Sequence, residues 1–158
     1  GLPWISVMPT NLYGPRDNFS TEGSHVVPAL IKRFVEARRA GESAVTNWGS
    51  GRPRRELLHV DDMASACLYL LDNYDGVSHV NLGTGKDSTI RELSSLVADA
   101  AGYTGEVKWD ASKPDGTPQK LLDVRLLESL GWKAAIPLDR GIAESVEWYE
   151  LNRDRVRS

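Results

Sequence analysis

With 158 residues, 41% of them hydrophobic and 26% charged, the chain can fill one core of ordinary make-up. A formal net charge of −3 supplies no global basic field for nucleic acid or an anionic membrane, and no apolar run approaches the ~20 residues of a membrane span. The single cysteine, Cys67, excludes an internal disulfide and suits a reducing cytoplasm, and the opening GLPWISVMPTN lacks the basic and long apolar regions of a secretory signal.

In chain order, Ile5–Met8 reads as a buried strand that starts almost at the first residue, as in a piece of a longer chain. Pro9–Ser24 reads as turn-rich. Val26–Ala40 has helical periodicity, with Val27, Leu30, Ile31 and Phe34 on one face, Pro28 in the first turn and Gly41 as the stop. Ala44–Trp48 and Arg55–His59 read as strands around a Gly49–Pro53 turn. Asp61 is expected to cap a helix reaching about Leu71, with Met63, Cys67, Leu70 and Leu71 inward. His79–Leu82 is the next strand; after the turn Gly83–Asp87, Thr89 and Glu92 form a capping box for a helix to Ala101. Glu106–Asp110 is a strand, Val124–Leu130 a helix that Asp123 could cap and Gly131 stops, and Leu138–Asn152 the last helix. Strands alternating with helices give an α/β class.

Between that strand and helix lies Asp110–Asp123, DASKPDGTPQKLLD. Its lysines, carboxylates, hydroxyl and fixed turns suit a polyanionic, hydroxylated ligand better than a core. Gly49–Glu56 sets three arginines beside a glycine turn; their planar donor forks suit phosphate oxygens, Trp48 offers a flat face, and the alternative is a solvated hairpin tip. His25 stands just before an apolar helix, as a proton-transfer residue or as a structural one. His59 reads as a buried, hydrogen-bonded strand-end residue; His79 carries no signal, and the three histidines lack metal-ligand spacing. Cys67, mid-helix on an apolar face, reads as a small hydrophobe, and Asp61 and Asp62 as capping residues rather than metal ligands. Gly83-Thr84-Gly85 follows a strand as a dinucleotide-binding turn would, but Ser88 stands where a third glycine belongs, and a plain tight turn explains it better. No Tyr is followed by Lys four positions on, so that couple of short-chain dehydrogenases is absent.

Three segments carry a resemblance to one family. They are Met8–Pro15 continuing to Ser24–Leu30, Trp48–Gly51 leading to Arg55–Asp62, and Asp110–Pro118 leading to Lys120–Asp123. Together they resemble GDP-L-fucose synthases, which are extended short-chain dehydrogenases, over essentially the whole of this chain and the C-terminal half of such enzymes. The resemblance implies a single region, 1–158, that binds a GDP-sugar and carries a remnant of the Rossmann sheet, with the N-terminal NADP-binding part absent. It implies epimerisation of GDP-4-keto-6-deoxy-D-mannose at C3 and C5 and reduction at C4 by NADPH, in a homodimeric cytoplasmic enzyme. His25 would then be the general acid near the nicotinamide. Pro9, Thr10, Asn11 and Leu12 would pass beside the cofactor. Arg33, Trp48, Arg55, Asp115 and Lys120 would hold the GDP-sugar, with Arg55 on the pyrophosphate and Asp115 on a ribose or sugar hydroxyl. The family's catalytic Ser, Tyr, Lys and Cys belong to the other half, and Cys67 does not match that cysteine, so this chain alone is expected to have no reductase turnover. Another nucleotide-sugar epimerase or dehydratase, or a non-catalytic nucleotide-sugar-binding module, are the competing readings.

Overall fold

A computed structural model describes residues 4–20 and 23–156. Residues 21 and 22, in the expected turn-rich stretch, lie outside the described residues. The first half runs β1 (Val7–Pro9), β2 (Asn11–Tyr13), α1 (Val26–Ala40), β3 (Ala44–Trp48), β4 (Arg54–His59), α2 (Val60–Asn73) and β5 (Val80–Leu82). The second runs β6 (Asp87–Thr89), α3 (Ile90–Ala100), β7 (Glu106–Asp110), β8 (Gln119–Lys120), α4 (Arg125–Ser129) and α5 (Leu138–Asn152).

The strands form small sheets with mostly parallel pairing. β1 pairs with β5, β3 with β7, and β4 gathers β2 and β8 in parallel and β6 antiparallel. The β1–β5 pair occupies the place expected for the sheet remnant, and among the described residues β1 has no second strand partner. Two apolar cores flank this framework. Ile31, Phe34, Val97 and Ile142 meet where α1, α3 and α5 pack together. Leu58, Ala66, Leu70, Leu82 and Leu127 form the second, where α2 packs on β4 and α4 on β5. Each of these Leu, Ile, Val and Phe side chains, fully withdrawn from water, contributes about 1.5–3 kcal/mol, and Ala66 less.

The helices follow their sequence signals closely. α1 buries Val27, Leu30, Ile31 and Phe34 and ends at Gly41; the α3 capping box between Thr89 and Glu92 is complete. Several expectations need correcting. The first strand lies at Val7–Pro9 rather than Ile5–Met8, and part of the expected turn is the strand β2. Two further strands, β6 and β8, lie where turn and loop were read. All three of these strands have only two or three residues and owe their geometry to β4 beside them. His59, not Asp61, caps α2, its Nδ1 accepting the Asp61 N–H at 3.2 Å. Leu71 is 57% exposed, because the inward stripe of α2 runs through Ala66 and Leu70. The α4 cap is likewise not Asp123 but Val124, although Asp123 accepts the Arg125 N–H at 3.1 Å.

Gly141, inside α5, is set by space. A Cβ there would lie 2.3 Å from the Tyr13 hydroxyl oxygen and 3.0 Å from His59 Cδ2. Alanine normally stabilises a helix interior by roughly 1 kcal/mol over glycine. Here overpacking against two buried rings wins, and Gly141→Ala is expected to lower stability by about 1–3 kcal/mol in urea denaturation.

Candidate functional site

The chain changes sheet partner at Thr10. Pro9 is in register with Leu82, the Thr10 N–H donates to the Leu82 carbonyl at 2.9 Å, and Asn11 is in register with Leu57. The Thr10 hydroxyl and the Asn11 amide both donate to the Glu56 carbonyl, at 3.3 and 2.9 Å, which pins the crossing point to β4. Over this crossing opens a cleft of about 740 Å³. Pro9–Leu12 form its floor, Tyr13–Asp17 and Val60 continue round it, His25 stands at α1, and Gln119–Leu122 make the opposite wall. The volume and the mixed lining are those of a small-molecule site.

His25 is the N-terminal flanking residue of α1, in extended conformation, and its side chain makes no capping hydrogen bond. The half-buried Asp17 shares the cleft; burial raises its carboxyl pKa, while the Asn18 N–H and the nearby His25 draw it back down. Tyr13 also lines the cleft, but burial, then Asp62 and Glu144, push its phenol far above the ordinary value. It stays protonated and is a poor base.

The structure thus brings Pro9, Thr10, Asn11, Leu12, His25 and Lys120 together in one cleft. The other expected ligands stand apart from it. Arg55 faces a second cavity, of about 710 Å³, and donates to the Arg54 and Thr117 carbonyls, both at 2.7 Å. Lys120 is its register partner across β4–β8, so the two cavities adjoin through this pair. Asp115 accepts the Ser50 N–H at 2.8 Å and the Ser50 hydroxyl at 2.7 Å, bonds that hold its pKa below the usual carboxylate range. Trp48 is 72% exposed with the Lys113 ammonium 5.8 Å from its ring centre. Arg33 lies on the outer face of α1 and donates to Asn47 at 2.6 Å.

Two buried carboxylates that organise this region were not picked out in the sequence as doing so. Glu56 is fully buried and accepts the Thr84 and Gly85 N–H groups on one oxygen, both at 2.7 Å, and the Leu122 N–H on the other at 2.9 Å. A Cβ at Gly83 would lie 2.3 Å from the first oxygen, so Gly83-Thr84-Gly85 is a seat for an internal carboxylate. The signal was there: Glu56 shares a strand face with Leu58. Asp62, 4% exposed, accepts the Ala135 and Ile136 N–H groups, so it fastens another loop rather than capping its own helix. His59 is buried as expected, in edge contact with Tyr13. Cys67 is half-buried against the second core. Among the described residues no group of three or more His, Cys, Asp or Glu is placed to hold a metal, and no helix is long and apolar enough to cross a membrane.

The model of the NAD dependent epimerase/dehydratase family matches residues 1–83. GDP-L-fucose synthase 1 of Arabidopsis thaliana is 54% identical over 152 residues, covering 96% of this chain and 47% of that protein. GDP-L-fucose synthase of Escherichia coli (strain K12) is 51% identical over 166 residues, covering 99% of this chain and 52% of that protein. A crystal structure of a GDP-L-fucose synthetase from Naegleria fowleri bound to NADP superposes with a TM-score of 0.91 at 31% identity, over 98% of this chain and 49% of that one. The chain spans about half the length of the curated relatives it matches.

Proposed function

Because the chain belongs to the NAD dependent epimerase/dehydratase family, we propose that it is the GDP-sugar-binding half of a GDP-L-fucose synthase, working in a cytoplasmic homodimer. The observation that carries this is the placement of His25, Lys120 and the Pro9–Leu12 floor around one cleft. The substrate is GDP-4-keto-6-deoxy-D-mannose, with Lys120 and Arg55 meeting the diphosphate and Trp48, Arg33 and Asp115 engaging the rest of the nucleotide sugar.

The 4-keto group acidifies the hydrogens on C3 and C5, so one acid/base pair can serve both inversions, a base removing each proton and an acid returning one to the opposite face. His25 suits the acid's role because its imidazole lines the cleft and is not consumed in capping α1. Asp17 in the same cleft supplies a carboxylate close enough to the imidazole to interact with it electrostatically.

NADPH would supply the hydride that reduces C4. The floor fits the nicotinamide end of such a cofactor, since the Thr10 and Asn11 side chains are drawn onto Glu56 and Pro9 and Leu12 remain to face a flat ring. The Gly83–Gly85 turn does not fit its pyrophosphate, because the Glu56 carboxylate already takes those amides.

Calorimetric titration of this chain with GDP, with UDP as control, tests the proposal. Saturable binding of GDP alone supports it. Preference for UDP would move the chain to another nucleotide-sugar epimerase, and a folded chain that binds neither would remove the preformed substrate site.

A further inference from the structure

We propose that Glu56 is the positioning residue that couples the two sides of the cleft, holding the Lys120 wall in register with the Thr10–Asn11 floor. The functional weight of this rests on the cleft being the nucleotide-sugar site. The coupling itself rests on geometry. Glu56 uses both of its polar ends. Its main-chain carbonyl takes the Thr10 hydroxyl and the Asn11 amide, both on the floor. Its carboxylate takes the Leu122 N–H, on the wall, and with the other oxygen the Thr84 and Gly85 N–H groups. One rigid strand residue therefore spans the cleft from below, and the wall segment has no other side-chain acceptor for the Leu122 amide among the described residues.

The chemistry demands a carboxylate. A fully buried acid is costly unless its oxygens are matched, and Glu56 has no cation partner among the described ion pairs. Three main-chain N–H donors match it instead, and only a group that accepts on both oxygens can serve both loops. Glutamine cannot. With its oxygen on the Thr84–Gly85 turn it turns an NH2 group toward the Leu122 N–H, donor against donor. That orientation keeps two bonds and loses one, so Glu56→Gln should free the wall and spare the turn.

Amide hydrogen exchange by NMR on this chain decides it. In Glu56→Gln the Leu122 amide is expected to exchange about 100-fold faster, while Thr84, Gly85 and the β3–β7 ladder keep their protection. GDP affinity is expected to fall about tenfold alongside it. Unchanged exchange at Leu122 overturns the proposal, as does equal acceleration everywhere, which would mark Glu56 as a general stabiliser. If the wild-type chain binds no GDP, exchange still decides for Glu56 and it is the nucleotide-sugar assignment that falls. If Glu56→Gln does not fold, Gly83→Ala crowds the carboxylate at the oxygen that holds Thr84 and Gly85, and because one carboxylate serves both loops it should speed exchange at Thr84, Gly85 and Leu122 together while the β3–β7 ladder keeps its protection; full protection of Leu122 there overturns the coupling.

Discussion

Replacing His25 by asparagine is expected to slow deuterium uptake at C3 and C5 of the 4-keto sugar by about 10²–10⁴-fold. The assay needs this chain working together with a nucleotide-binding half, as in a fusion to the preceding half of the Escherichia coli relative. The effect should be confined to proton transfer. The His25 side chain caps nothing, so the variant should unfold within about 0.5 kcal/mol of the parent. GDP affinity should be unchanged, since Lys120 and Arg55 are untouched. Deuterium uptake at the parental rate would remove His25 from the chemistry and leave Asp17 as the cleft's other proton carrier. A parallel loss of GDP binding would mean that His25 shapes the site instead.

What the sequence disclosed here followed from local physics. The periodicity of Val26–Ala40, the Thr89–Glu92 capping box and the strand Ala44–Trp48 each carry their own signal within a few residues, and each stands where it was read. The parts that were not legible are made by partners distant in sequence. β2, β6 and β8 are too short to show a period and become strands because β4 offers them free main-chain groups. The same holds at the site. His25 is a candidate by its own chemistry, the Pro9–Leu12 run only through resemblance to a family, and folding brings Lys120 to them from about a hundred residues away. The strand pattern marks Glu56 as inward-facing, but the partners of its carboxylate are not legible, because its donors Thr84, Gly85 and Leu122 lie far along the chain. A buried acid directly after two arginines looks, in sequence, like one more charge on a solvated turn.

Asp62 makes the same point with a larger expected cost. Its two oxygens accept the Ala135 N–H at 3.0 Å and the Ile136 N–H at 2.9 Å, tying the segment that leads into α5 to the first turn of α2. Hydrogen bonds to a charged, nearly buried acceptor are worth roughly 1.5–3 kcal/mol each, less where water can replace the lost partner. Ala135 is exposed enough for such replacement, so Asp62→Ala is expected to cost about 2–4 kcal/mol in urea denaturation rather than the full sum. Asp62→Asn, which keeps one acceptor, should cost about half of that. A second readout separates loss of the tie from loss of the charge. Asp62 is, after burial, the foremost cause of the raised Tyr13 pKa, so both variants should move the Tyr13 phenol back toward its ordinary value in an ultraviolet titration. A stability loss with no movement of Tyr13 would mean that the Asp62 charge does not govern the phenol, leaving burial with Glu144 and Asp139 as its causes. Movement of Tyr13 with stability intact would show that water replaces both lost bonds without cost.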